Sequence, residues 1–147
     1  MNLHFVCTGN VFRSRLAESY GRYLLKNHPQ FHLTSSGVNA VNAQDGPIAW
    51  YALKIVDDND LIPYISQMWI QTSHELLANQ DKVVFMQPYH LAQAKSHYGY
   101  TQDNYLVWDI ADITPEMTDD EIIDFSQIQY NLIKQKVEEL VNQLLIG

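Results

Sequence analysis

Only one cysteine, Cys7, occurs in the 147 residues, so no disulfide can close within the chain and a cysteine-rich zinc module is excluded. Arginine is equally scarce. Arg13, Arg15 and Arg22 are the only three, and all fall within ten positions. Seventeen acidic residues against nine basic give 9 − 17 = −8. That balance opposes general nucleic-acid binding, which draws its affinity from Lys and Arg neutralising phosphates. Any anion the chain handles must therefore be met locally, near the arginines. No stretch approaches the ~20 apolar residues of a membrane span. Met1–Val6 lacks the basic start and long apolar core of a signal peptide, and a cytoplasmic protein without membrane association is expected. The six histidines offer no His-x-x-x-His pair on an uninterrupted helix, because Pro29 separates His28 from His32. Asp57-Asp58-Asn59-Asp60 lacks the Gly and terminal Glu of a calcium loop, so no metal site is expected.

What is present describes a globular protein: 46% apolar and 18% charged residues, in a length that suits a single domain over 1–147. Leu3–Val6 is a short apolar run of strand type, followed by small and polar residues at Cys7–Ser14. Leu16, Ala17, Tyr20, Tyr23 and Leu24 then recur at helical spacing up to Asn27-His28-Pro29. A second strand is predicted over Phe31–Ser35. The turn Asp45-Gly46-Pro47 predicts a helix from Pro47 to about Val56, ended by Asp57–Asp60. Leu61–Ile70 reads as loop with a short extended piece. Thr72-Ser73-His74-Glu75 has the capping-box pattern, with Thr72 first and Glu75 three later. Lys82–Met86 predicts a third strand, Pro88–His97 a helix and Asn104–Trp108 a fourth strand. A second capping box, Thr118-Asp119-Asp120-Glu121, opens a helix to about Leu145. Its apolar face is predicted as Ile122, Phe125, Ile128/Gln129, Leu132, Ile133, Val137, Leu140, Val141 and Leu144. Strands alternating with helices, without repeats or linkers, indicate one α/β domain with a parallel sheet. Ligands of such sheets sit beyond the carboxyl ends of the strands, where Cys7–Ser14 falls.

Cys7-Thr8-Gly9-Asn10-Val11-Phe12-Arg13-Ser14 places Arg six residues after Cys, in a loop from strand to helix. Backbone N–H groups of such a loop can surround one tetrahedral oxyanion, with the helix N-terminus adding donors and its positive dipole end. Gly9 and Asn10 tolerate the left-handed backbone that this winding requires. Arg13 offers a planar grip on two phosphate oxygens, and Ser14 a hydrogen bond to the sulfur. A lone Cys after a buried strand is most often a small core residue. The Gly-Asn pair, the arginine and the helix start are what a core cysteine does not need. The loop has no Gly-Lys-Ser/Thr ending and is not a nucleotide P-loop.

At these residues the chain resembles the low-molecular-weight protein tyrosine phosphatases, whose pattern is Val-Cys-x-Gly-Asn-x-Cys-Arg-Ser-Pro. Here it reads Val6-Cys7-Thr8-Gly9-Asn10-Val11-Phe12-Arg13-Ser14-Arg15, with Phe12 for the second cysteine and Arg15 for the proline. Ser35-Ser36-Gly37 is similar to the family's Ser-Ala-Gly, and Asp81–Met86 with His90 to its third strand and the turn after it. The resemblance implies a four-stranded parallel sheet with helices on both faces and a phosphate-binding loop after the first strand. It further implies hydrolysis through a phosphocysteine. Cys7 is the nucleophile, residues 8 to 14 (Thr8, Gly9, Asn10, Val11, Phe12, Arg13 and Ser14) bind the phosphate, and a carboxylic acid protonates the leaving group. No metal or cofactor is implied, since the loop and Arg13 supply the positive charge. The family places its acid in an Asp-Pro pair, which this chain lacks. Asp112 is preferred because Trp108-Asp109-Ile110-Ala111-Asp112 resembles the Trp-x-x-x-Asp form common among the family's arsenate-reductase-like relatives, and Asp109, directly after the strand, is second.

The expected substrate is a phosphotyrosine protein or a small aryl phosphate, handled by a monomer. Phe12, Tyr51 and Trp108 are candidates for an aromatic wall, with Phe12 first. Two other readings stand beside this one. An arsenate reductase would need an external thiol, and a non-catalytic oxyanion-binding domain is suggested by the missing Asp-Pro.

Overall fold

A computed structural model describes residues 1–42 and 46–147. Asp45, predicted as part of a turn, lies outside the described residues. Four parallel strands, β1 (Asn2–Cys7), β2 (His32–Gly37), β3 (Lys82–Phe85) and β4 (Tyr105–Val107), lie in the order β2-β1-β3-β4. They alternate with the helices α1 (Arg13–Leu24), α2 (Trp50–Asp58), α3 (His74–Ala78), α4 (Pro88–Tyr98) and α5 (Asp119–Ile146). The α/β fold with a parallel sheet matches the expectation.

The central strand β1 is covered on both faces, which is why its sequence reads as a continuous apolar run. Leu3, Phe5 and Cys7 point to one face, into a core with Leu16 and Ala17 of α1, Ala52 of α2 and Ile133 and Val137 of α5. Val6 points to the other, with Leu77 of α3, Ala94 of α4, Val83 and Phe85. His4, on that second face, hydrogen-bonds the hydroxyls of Thr34 and Ser36, each at 2.7 Å. The connections reverse direction between β1 and β3. The loops leaving these two strands diverge there and open a crevice at the carboxyl edge of the sheet.

Several boundaries differ from the sequence prediction. Helix α2 starts at Trp50, not Pro47. The Pro47 carbonyl accepts a hydrogen bond from Arg15 Nη1 (2.8 Å), and the Ala49 N–H donates to the Val11 carbonyl, so this stretch is held as a turn against the Cys7–Ser14 loop. The cap of α3 is Ser73, which accepts from the Leu76 N–H, whereas the Thr72 hydroxyl is spent on Ser36 at 2.7 Å. On α5 the Thr118–Glu121 capping box is present, but Ile128 is 57% exposed and Leu132 is also outside the core. Of the Ile128/Gln129 pair it is Gln129 that is buried, its side-chain oxygen accepting the Ala111 N–H at 2.9 Å, and Tyr130 is buried beside it. Leu61–Ile70 contains a 3-10 turn at Ile62–Tyr64, and the extended piece falls at Gln71, bridged to Gly37. No helix among the described residues is long and apolar enough to cross a membrane.

Candidate active site

The loop between β1 and α1 wraps around the Cys7 sulfur. Asn10 adopts φ 56°, the left-handed turn, while Gly9 does not; one residue of the predicted pair suffices. This turn aims the Asn10 N–H at Cys7 Sγ, 3.3 Å away, and the Ser14 hydroxyl lies 2.9 Å from the same atom. The orientation of the Asn10 amide can be assigned. Asn10 Oδ1 accepts from the Ile70 N–H (2.9 Å), so the amide nitrogen must face the other way, where it donates to Ser14 Oγ (2.7 Å) and Ser35 Oγ (2.9 Å). Ser14 thus accepts from Asn10, and its own hydrogen is free to point at the sulfur. Two donors thus converge on Cys7 from within the loop.

The strand β2 supports the loop from behind. The Val38 and Asn39 N–H groups donate to the carbonyls of Cys7 and Thr8, both at 2.9 Å. A Cβ on Gly37 would lie 2.5 Å from the Thr8 carbonyl oxygen and 2.8 Å from the Asn10 nitrogen. Glycine at 37 is what lets the loop backbone approach the sheet.

Arg13 is buried at the start of α1 and crosses the crevice. Its Nη1 donates to Gln87 Oε1 (2.6 Å) and to the Ile110 carbonyl (2.8 Å), and its Nη2 lies 3.3 Å from both Thr8 Oγ1 and Asp112 Oδ2. Asp112 stands at the mouth of the crevice with its side chain 46% exposed. Asp109, the second candidate, is exposed and does not line the crevice. The segment beyond β4 is pinned by Trp108 N–H to the Phe85 carbonyl and Ile110 N–H to the Met86 carbonyl. Trp108 and Ile110 are buried, so Asp109 between them turns outward, and Asp112 emerges over Cys7's loop.

Arg15, the residue in place of the family's proline, is 1% exposed. Its guanidinium donates to the carbonyls of Asn10 (3.1 Å), Pro47 (2.8 Å) and Ser66, joining the loop to two distant segments. Below it Glu18 accepts from the hydroxyls of Ser35 and Ser66 (2.9 Å each) and pairs with Arg22 at 2.8 Å. Burial raises the Glu18 carboxyl above its ordinary range, opposed by Arg22, by the two serine bonds and by Arg15.

Above the loop the crevice measures about 440 Å³ and is lined by Cys7, Arg13 and Asp112, with Phe12, Tyr51 and Trp50 among its walls. Phe12 and Tyr51 meet edge to face at 5.1 Å, and Trp50 meets Tyr51 at 5.5 Å. Trp108 does not take part: it is buried against Phe5 at 6.0 Å. Trp50, 46% exposed, is the aromatic wall that sequence reasoning missed. A tryptophan in the first turn of a helix, close after a glycine-proline turn, was the available signal. Among the described residues no group of three or more His, Cys, Asp or Glu side chains is placed to hold a metal ion.

The family model "Low molecular weight phosphotyrosine protein phosphatase" matches residues 2–146. The chain is 28% identical to the low molecular weight protein-tyrosine-phosphatase PtpB of Staphylococcus haemolyticus, over all of this chain and 96% of that protein. It is 36% identical to PtpB of Staphylococcus aureus over 67% of this chain and 66% of that protein. Among solved structures it is similar to a low molecular weight protein tyrosine phosphatase from Bacillus subtilis. That likeness has a TM-score of 0.81 at 21% identity and covers 100% of this chain and 99% of the other.

Proposed function

This chain belongs to the low molecular weight phosphotyrosine protein phosphatase family, a family of cysteine-dependent hydrolases, and on that premise we propose which of its residues perform the reaction. A phosphate monoester is seated on the backbone N–H groups of residues 8 to 14, at the positive end of helix α1. Asp112 swings away from Arg13, whose freed donors grip the phosphate oxygens, a geometry that suits its planar fork. Cys7 Sγ attacks phosphorus; the S–P bond forms as the P–O bond to the leaving group breaks. The acid form of Asp112 gives its proton to that leaving oxygen. The resulting Asp112 carboxylate then takes a proton from water as the water oxygen attacks phosphorus. The S–P bond breaks, and inorganic phosphate and the Cys7 sulfur anion are released. Residues 1–147 serve as one catalytic unit.

The observation that carries this reading is the convergence of the Asn10 N–H and the Ser14 hydroxyl on Cys7 Sγ, under a crevice shared with Arg13 and Asp112. The aromatic side chains of Phe12, Trp50 and Tyr51 suit the ring of an aryl phosphate, phosphotyrosine in a protein or a small equivalent. The test is turnover of p-nitrophenyl phosphate by the wild type and by Cys7→Ser, with arsenate reduction in the presence of added thiols run in parallel. Turnover that Cys7→Ser abolishes, with a phosphorylated Cys7 trapped on rapid quench, supports the assignment. Phosphate binding without turnover, or arsenate reduction alone, overturns it.

A further inference from the structure

We infer that the side-chain hydroxyl of Thr8 is a hydrogen-bond donor to the phosphoryl group, and that His90 is the positioning residue that frees its proton for this purpose. The inference deepens the proposed phosphatase reading and rests on it.

His90 sits in the first turn of α4, and its Nδ1 is 3.0 Å from the Gln87 N–H. A backbone N–H can only donate, so Nδ1 is the accepting nitrogen. The ring is neutral as well: burial, and then the nearby Arg13, lower its pKa to about 3. A neutral imidazole that accepts at Nδ1 carries its hydrogen on Nε2. That nitrogen lies 2.9 Å from Thr8 Oγ1, so His90 donates to Thr8. Arg13 Nη2 donates to the same oxygen at 3.3 Å. A hydroxyl has two lone pairs and one hydrogen, and both lone pairs are now engaged. The Thr8 O–H is left over, and no acceptor among the described residues takes it. Thr8 is itself part of the crevice wall, beside Cys7 and Arg13, where the phosphoryl oxygens would sit.

Backbone amides of the loop contact phosphate whatever side chain occupies position 8. The hydroxyl adds a donor that depends on this chain's own Thr8–His90 pairing. Hydrogen bonds to a charged group are the strong ones, and loss of one corresponds to about 10- to 100-fold in affinity.

The experiment measures inhibition by inorganic phosphate, and kcat and KM for p-nitrophenyl phosphate, in wild type, Thr8→Val, Thr8→Ser, His90→Gln and the double variant Thr8→Val/His90→Gln. Thermal melts establish that each variant is folded. The expected result is phosphate inhibition and kcat/KM weakened about 10- to 100-fold in Thr8→Val and retained within about threefold in Thr8→Ser. His90→Gln weakens the wild type but adds nothing further in the Thr8→Val background. Unchanged phosphate inhibition in Thr8→Val overturns the role of the hydroxyl. A His90→Gln effect of equal size in both backgrounds overturns the positioning role. Failure of the catalytic assignment itself shows separately, as turnover that survives Cys7→Ser.

Discussion

Arg13 Nη2 lies 3.3 Å from Asp112 Oδ2, an ion pair that spans the mouth of the crevice between the start of α1 and the segment beyond β4. The two groups are 99 positions apart in sequence. Arg13 is wholly buried and held by Gln87 and the Ile110 carbonyl, whereas Asp112 is half open to solvent, so Asp112 is the movable partner. In the proposed reaction an incoming phosphate takes the Arg13 donors and leaves Asp112 facing the leaving group. Asp112→Asn is therefore expected to slow aryl phosphates with poor leaving groups far more than p-nitrophenyl phosphate. A leaving-group series measures this, and Asp109→Asn should show no such bias.

The approach of Gly37 to the loop makes a second expectation. In Gly37→Ala the added methyl meets the backbone of Thr8, Gly9 and Asn10, none of which can rotate away as a side chain would. The loop must shift, and catalytic geometry is lost by displacements of about 1 Å, at a cost of about 100-fold. The expected outcome is a folded protein with kcat/KM reduced by about that factor, measured beside a circular-dichroism spectrum like that of the wild type.

Arg15 makes a third. Removing its guanidinium strands the Asn10, Pro47 and Ser66 carbonyls and takes a positive charge from beside the buried Glu18. Arg15→Met should destabilise the fold by about 3 kcal/mol, the range for breaking a buried charged network. Urea unfolding measures this. Because the Asn10 carbonyl is one of the three, phosphate inhibition should weaken in the same variant.

The pH dependence of stability follows from two buried imidazoles. Burial lowers the His4 pKa to about 3, and burial with Arg13 lowers that of His90 to about 3. Below about 6.5 the unfolded chain binds a proton at each, while the folded chain does not until about 3, so acid favours the unfolded state. Between pH 7.5 and 5.0 each imidazole should remove about 2 kcal/mol of stability. The raised carboxyl of Glu18 acts in the opposite sense, since the folded chain keeps that proton at a higher pH than the unfolded one. His4 is remote from catalysis, so His4→Asn isolates its share. Urea midpoints at the two pH values should fall less in His4→Asn than in the wild type.

The parallel α/β architecture was legible from the alternation of apolar runs and helical patterns. The loop was legible because its chemistry is local: Cys7, Asn10, Arg13 and Ser14 all lie within eight consecutive residues and fold around one another. Long-range contacts account for what was missed. Pro47 has the form of a helix start, yet its carbonyl is claimed by Arg15, 32 positions away. Ile128 fits the apolar stripe of α5, but that helix turns Gln129 inward to meet the Ala111 N–H. Trp108 and Trp50 are alike in sequence terms, and only packing places one against Phe5 and the other at the crevice.

The sequence by itself determined the Cys7–Ser14 loop, since one strand end, one left-handed Asn10 and one helix start are local properties of a short segment. It also confined the three arginines to positions 13–22, at and just after that loop, in a chain of net charge −8. Only the tertiary structure decided which aspartate lines the crevice with Cys7 and which side chain meets the Thr8 hydroxyl. Both depend on groups far from the loop in sequence, His90 being 82 positions from Thr8 and Asp112 99 from Arg13, brought to it by the sheet. Strand order and the burial of alternate residues after β4 set those positions, and neither is written in local propensity.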